Sequence, residues 1–273
     1  MQDPPLQNMI IPSSIKALIL DIDGVLWHNR DPIIDLPAVF KIIEKRGYKV
    51  TLATNNSTRT AEETRAQINS FGINLAPSQV ITSSIATAAL LKEHFLQSGD
   101  LYILGMKGII KAVEEKGFRV FTDGNIPEKP LAVVVGMDWD FNYDKIAEAA
   151  LLIQQGIPFY ATNPDKTFPT SRGLLPGIGT LLSAVSTAAL DVKPIIAGKP
   201  EPYLFQLAMQ RMNVSPEETL VVGDRLETDI LGGQNAGCKT ACVLSGVTER
   251  ARAESWVPKV DFIAEDLAAL LRE

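Results

Sequence analysis

Side chains that bind soft metals or form crosslinks are scarce in this chain, whose 273 residues include two cysteines and two histidines. A cysteine pair alone does not supply four zinc ligands, and only His28 and His94 are available to help, so a zinc-built fold is not expected. Cys238 and Cys242 lie in GCKTACVL, a buried-strand pattern with its preceding turn, and are expected to be ordinary reduced thiols of the core. Long hydrophobic runs are missing too: none approaches the roughly 20 residues of a membrane-spanning helix. The opening MQDPPLQNMIIPSS has no basic region, no apolar stretch and no small-residue cleavage site. It is expected to be a tail rather than a signal peptide, which places the protein in the cytoplasm. Positive charge is not in excess, the net charge being −6. That argues against a general nucleic-acid or anionic-membrane surface. A site for an anion would have to provide its own positive field.

Hydrophobic residues make up 46% of the chain and charged residues 21%, enough for a globular core. The length suits two domains of roughly 150 residues each. Apolar runs of strand length alternate with helical patterns, the signature of parallel α/β architecture. IKALILD (15–21), YKVTLATN (48–55) and VITSS (80–84) form a first block, with helices over 36–46 and near 60–70. Thr60 and Glu63 make a capping-box pattern at the second of these helices. LYILG (101–105), FRVFTDG (118–124), LAVVVGM (131–137) and IPFYATN (157–163) form a second block. PIIAGKP (194–200), TLVVGD (219–224), CKTACVL (238–244) and DFIAE (261–265) form a third. If blocks one and three share a sheet, residues 1–84 and 193–273 make one domain and 85–192 an inserted one. LATNNSTRT (52–60) and YATNPDKTF (160–168) both leave a strand through Ala-Thr-Asn. The echo hints that the insertion also presents a polar loop from a strand end.

In open parallel sheets, ligands bind beyond the carboxyl ends of the strands. Asp21 and Asp23 end the first strand, Thr54, Asn55 and Asn56 the second, and Lys199 and Asp224 follow PIIAG and TLVVG. Two like charges 4 Å apart cost about 4 kcal/mol at an effective dielectric of 20, so three clustered carboxylates cost on the order of 12 kcal/mol. Either a proton is retained or a cation neutralises the group. All-oxygen ligands favour a hard ion such as Mg²⁺. With lysine and hydroxyl donors added, phosphoryl transfer is the natural chemistry. An aspartate can attack phosphorus to form an aspartyl-phosphate, and a second carboxylate two residues on can protonate the leaving oxygen and then activate water.

DIDGV (21–25), TNNS (54–57), GKP (198–200) and GDRLETD (223–229) resemble the motifs of the haloacid dehalogenase superfamily of aspartate-nucleophile phosphatases. DGVLW (23–27), ATNPD (161–165), PGIGT (176–180) and GKPEPYLF (198–205) resemble its branch with a large α/β cap, which includes p-nitrophenyl, nucleotide, phosphoglycolate and pyridoxal phosphate phosphatases. The resemblance implies a Rossmann-like parallel-sheet core with an inserted α/β cap. It implies Asp21 as nucleophile and Mg²⁺ ligand, and Asp23 as general acid/base, lending its backbone carbonyl to the metal. Thr54 and the amide of Asn55 would hold phosphoryl oxygens, with Asn56 in support, and Lys199 would neutralise nucleophile and phosphate together. Asp224 would ligate the metal, while Asp229 would hold a metal-bound water or Lys199. Gly24 lets the chain leave the strand sharply. Asn163, Asp165 and Phe168 belong to the cap loop that would select the substrate, a small phosphorylated metabolite. A homodimer through the cap would suit the branch.

Each residue alone has a plainer reading. Asp-Gly is a common turn dipeptide, Thr54 and Asn55 can merely cap a helix, and a lone lysine such as Lys199 is usually solvated. His28 either faces the substrate or is incidental, His94 lies on a helical pattern, and Trp139 is expected to pack a cap loop. Two other classes stay open: a receiver-like module that stores a phosphoryl group as a signal, and a phosphometabolite-binding protein without turnover. A receiver is shorter, and its phosphorylated aspartate lies on a later strand than its acidic pair.

Overall fold

The apolar run around Leu18 becomes the strand Ala17–Leu20, all four of its residues buried. This is seen in the computed structural model, which describes residues 11–28, 31–123, 126–170 and 172–272. The strand pairs in parallel with Thr219–Val222 on one side and with Lys49–Leu52 on the other. Lys239–Val243 joins beyond Thr219–Gly223, and Phe262–Ala264 beyond that, both in parallel. A parallel strand covered on both faces has no polar side to show, which is why ALIL and LVV run without alternation. The helix Leu36–Lys45 opens where the Asp35 carboxylate accepts the Ala38 N–H, and it buries Leu36, Val39 and Ile43 on one stripe.

The chain divides into two compact units. The first comprises the described residues of Met1–Ala53, Ile68–Gln79 and Phe205–Glu273, and the second Thr54–Gln67 with Val80–Leu204. In the second unit the strands stand in the order Ile195–Ile196, Phe159–Ala161, Ala132–Val135, Asp100–Leu104, Arg119–Phe121, all parallel. The helices Tyr143–Gln154 and Ile178–Ala188 share a core with this sheet, where Ile153, Leu182 and Val185 meet Leu104, Val133 and Phe159. Each such side chain contributes about 1.5–3 kcal/mol on burial. An antiparallel hairpin pairs Thr167–Thr170 with Gly173–Pro176.

The parallel α/β architecture is as expected, but two elements differ. PIIAGKP, assigned to the sheet of the first strand, supplies only Ile195–Ile196, which pairs with Tyr160 and Ala161 in the second unit. VITSS is a strand only over Val80–Thr82. Thr82 then caps the helix Ser83–His94, its hydroxyl accepting the Ile85 N–H at 3.3 Å. Serine and threonine compete for nearby backbone donors, so they start helices more readily than they extend strands. The capping box at Thr60 is formed: Thr60 N–H donates to Glu63 at 3.1 Å and Glu63 N–H to the Thr60 hydroxyl at 3.2 Å, opening the helix Ala61–Asn69. Burial also excludes Cys238 and Cys242 from solvent, both as free thiols. The expectations for residues 1–10 and for Gly124 fall outside the described residues.

Candidate active site

Asp21 follows its strand directly, and its backbone N–H donates to Val222 O at 2.9 Å, so the parallel register continues to the strand end. Asp224 follows the neighbouring strand Thr219–Gly223. Asp229 sits in the helical turn Leu226–Ile230, where its Oδ2 accepts the Arg225 N–H at 3.1 Å. One carboxylate oxygen from each of Asp21, Asp224 and Asp229 lies within 4.8 Å of the others. Asp224 and Asp229 are 5% and 2% exposed, so water screens them poorly. At such separations each ionised pair costs about 3–4 kcal/mol at an effective dielectric of 20.

The surroundings of this trio suit a small hard cation. Two glycines press on Asp224: a Cβ at Gly24 would lie 2.4 Å from its Oδ2, and one at Gly246 would lie 1.9 Å away. Gly24 also has φ +85°, a left-handed conformation that side chains resist. Val247 N–H donates to Asp224 Oδ2 at 2.9 Å, and the Ser245 hydroxyl donates to Gly24 O at 2.8 Å. The carboxylates are therefore held by backbone on several sides, and their all-oxygen donor set matches Mg²⁺. Asp23 is exposed at the turn, and its Oδ1 accepts the Trp27 indole N–H at 2.9 Å. Sequence reasoning missed Trp27, Ser245, Gly246 and Val247 as parts of this site. The Ser-Gly pair just after the strand Lys239–Val243 is the signal that was available, being the loop at one more strand end.

The other predicted residues belong to the second unit. Thr54 ends the strand Lys49–Thr54, is 4% exposed, and its hydroxyl accepts the Asn56 N–H at 3.1 Å. The Asn56 side chain turns the next residues by accepting both the backbone N–H and the hydroxyl of Thr58, at 2.9 and 2.8 Å. Lys199 is 3% exposed, which is costly for a side chain that is almost always solvated and marks the position as more than a surface lysine. Its backbone is hydrogen-bonded to the side chain of Asn55, which also reaches Asp165. Asn163 donates to Asn55 O at 2.6 Å. Phe168 stands apart from these bonds, edge-on to Trp139 with ring centroids 5.9 Å apart, and Trp139 itself is 56% exposed. His94 and His28 are both exposed, and His94 shares a hydrogen bond of 2.7 Å with the Tyr160 hydroxyl.

A Rossmann-like parallel sheet with a carboxylate trio at its strand ends defines the class of protein, an α/β protein with a candidate metal site whose oxygen donors fit a hard cation. Comparison with known proteins narrows the class. A family model for haloacid dehalogenase-like hydrolases matches residues 18–119, and a HAD-hydrolase-like model matches residues 196–270. The 5'-nucleotidase YutF of Bacillus subtilis (strain 168) is 38% identical over 235 residues, 86% of this chain and 89% of that protein. An acid sugar phosphatase of Staphylococcus aureus (strain USA300) is 34% identical over 233 residues, 85% of this chain and 88% of that one. The crystal structure of glycerol phosphate phosphatase from Mycobacterium tuberculosis in complex with magnesium matches with a TM-score of 0.84 at 33% identity, covering 94% of this chain and 76% of that one. The chain belongs to the haloacid dehalogenase-like hydrolases. Within them it is an enzyme that hydrolyses phosphoric monoesters.

Proposed function

We propose that this enzyme is a Mg²⁺-dependent phosphatase of small phosphorylated metabolites, working in the cytoplasm through an aspartyl-phosphate on Asp21. The observation that carries the proposal is the trio of Asp21, Asp224 and Asp229, whose carboxylate oxygens lie within 4.8 Å of one another. Those three residues, with the backbone carbonyl of Asp23, would hold the ion. When bound, Mg²⁺ supplies positive charge that offsets the carboxylates and the phosphoryl oxygens. A relative of known structure is described as a complex with magnesium, which supports the choice of ion.

In the first step an Asp21 carboxylate oxygen attacks phosphorus and the ester P–O bond breaks. Asp23 gives its proton to the leaving alkoxide, so the product departs as an alcohol. Asp23, now a carboxylate, takes a proton from a water molecule whose oxygen attacks the aspartyl-phosphate. The Asp21–phosphorus bond breaks, inorganic phosphate leaves, and both aspartates return to their starting states. Trp27 fixes the carboxylate that moves the proton, since it donates to Asp23 Oδ1. By the family resemblance, Thr54 and the backbone N–H of Asn55 hold phosphoryl oxygens and Lys199 balances their charge. The relatives named above are described as a 5'-nucleotidase, an acid sugar phosphatase and a glycerol phosphate phosphatase, which supports a phosphomonoester of a small alcohol as substrate. No helix among the described residues is long and apolar enough to cross a membrane.

The test is release of inorganic phosphate by the purified protein from p-nitrophenyl phosphate, nucleoside monophosphates, sugar phosphates, glycerol phosphate, phosphoglycolate and pyridoxal phosphate, with and without Mg²⁺. Turnover of at least one of them only with Mg²⁺ is expected. Failure on all of them, or full activity in chelator, overturns the proposal.

A further inference from the structure

The two strand-exit loops that echo each other in sequence, Ala-Thr-Asn at 53–55 and at 161–163, are hydrogen-bonded to one another and to the lysine loop. Asn55 Oδ1 accepts the backbone N–H of Lys199 at 2.9 Å, and Asn55 Nδ2 donates to the backbone carbonyl of the same residue, also at 2.9 Å. One side-chain amide thus holds both backbone groups of Lys199, as a neighbouring strand would. The second Nδ2 hydrogen goes to Asp165 Oδ2 at 3.1 Å. The backbone oxygen of Asn55 accepts from Asn163 Nδ2 at 2.6 Å and from the Ser83 hydroxyl at 2.7 Å.

This arrangement permits one orientation of the Asn55 amide. Turned over, its oxygen would face two other acceptors, the Lys199 carbonyl and the Asp165 carboxylate, and its NH₂ would face the Lys199 N–H. The Lys199 backbone sets which way the amide points, and Asp165 holds it there by accepting the second Nδ2 hydrogen. Asn163 in turn places Asp165, because its Oδ1 accepts the Asp165 N–H at 3.1 Å. Asn163 is 1% exposed, and the nitrogen and the oxygen of its amide each make a hydrogen bond within the protein. The close fit extends to Gly198, where a Cβ would lie 2.3 Å from Thr162 O and 2.8 Å from Asn55 Oδ1. Gly198 N–H donates to Thr162 O at 2.9 Å, closing the network.

We infer that Asp165 and Asn163 are positioning residues which, through Asn55, set the backbone of the phosphate-neutralising Lys199, rather than residues that read the substrate. The inference rests on the proposed role of Lys199. It makes one cap loop answerable for the rate with every substrate, and leaves selection to other positions.

The experiment compares wild type, Asp165→Ala and Asp165→Asn with p-nitrophenyl phosphate, a nucleoside monophosphate and a sugar phosphate, alongside hydrogen–deuterium exchange of the peptide covering 197–204. In Asp165→Ala, kcat is expected to fall about tenfold or more, the effect of losing one charge-assisted hydrogen bond. The loss is expected to be equal across substrates, with KM little changed and with faster exchange around Lys199. Asp165→Asn can still offer an oxygen to Asn55 Nδ2 and is expected to recover most of the rate and the protection. Losses that differ between substrates or fall on KM, or unchanged exchange around Lys199, overturn the inference. An inactive wild type would instead strike the proposed function, and the exchange comparison would then decide the inference alone.

Discussion

Trp27 donates its indole N–H to Asp23 Oδ1 at 2.9 Å while its backbone carbonyl accepts the Gly24 N–H at the same distance. The side chain is 5% exposed and tilts against Phe71, so the donor is rigidly placed. The turn that carries the proposed acid is thus braced by the aromatic residue that ends it. Trp27→Phe keeps an aromatic ring at the position and removes the donor. Its kcat is expected to fall about three- to tenfold, the worth of one hydrogen bond, with KM unchanged. A rise in KM alone would assign Trp27 to substrate binding instead.

Asp21→Asn removes the attacking carboxylate and changes little else in shape. Phosphate release is expected to drop about a thousandfold or more, with circular dichroism and thermal midpoint close to wild type. Hydrolysis at the wild-type rate by this variant would remove Asp21 from the nucleophile position.

A cation that binds the folded carboxylate trio stabilises the fold by mass action. Saturating with Mg²⁺ at about a hundred times Kd contributes about 2.7 kcal/mol, or roughly 5–10 °C in the melting temperature. Asp224→Ala is expected to abolish this shift in a thermal melt. An equal Mg²⁺ response in that variant would place the ion elsewhere.

Gly246 has no catalytic group, yet a Cβ there would lie 1.9 Å from Asp224 Oδ2. Gly246→Ala must therefore displace the carboxylate or the loop, at a cost of about 1–3 kcal/mol. Weakened Mg²⁺ dependence of both melting and turnover is expected. An unchanged metal titration would show that the loop yields without moving Asp224.

Burial pushes the thiols of Cys238 and Cys242 up from an ordinary 9.0 to about 12 each, with help from the nearby Glu217 and Asp224 charges respectively. The folded protein keeps them neutral where the unfolded chain ionises them. Their contribution to stability is whole below pH 9.0 and is lost as pH rises from there toward about 12. Thiol reagents at pH 8 are expected to label neither residue until the protein is unfolded. Rapid labelling of the native enzyme would contradict the burial.

Much of the fold was legible because the relevant signals are local. ALIL, TLVVG and CKTACV each state a buried strand in a few residues, and Thr60 with Glu63 states a helix start in four. PIIAGKP is different: a short apolar run says that it will pair but not with which strand, and Ile195–Ile196 pairs with Tyr160–Ala161. Ser83 and Ser84 look like a continuation of the strand because an apolar run precedes them, whereas the Thr82 cap turns them into a helix.

The sequence by itself determined the kinds of chemical group present and the strand ends that carry them: Asp21 and Asp23 before Gly24, Thr54 and Asn55 after one strand, Asp224 after another. Those are matters of composition and short-range order, which a linear chain displays. Only the tertiary structure decided that Gly246 closes on Asp224, that Asp229 joins the trio, and that Asn163 and Asp165 turn inward to Asn55 instead of outward. Hydrogen bonds and van der Waals contacts act over a few ångströms of space, and folding brings within that range residues separated by many positions in the chain.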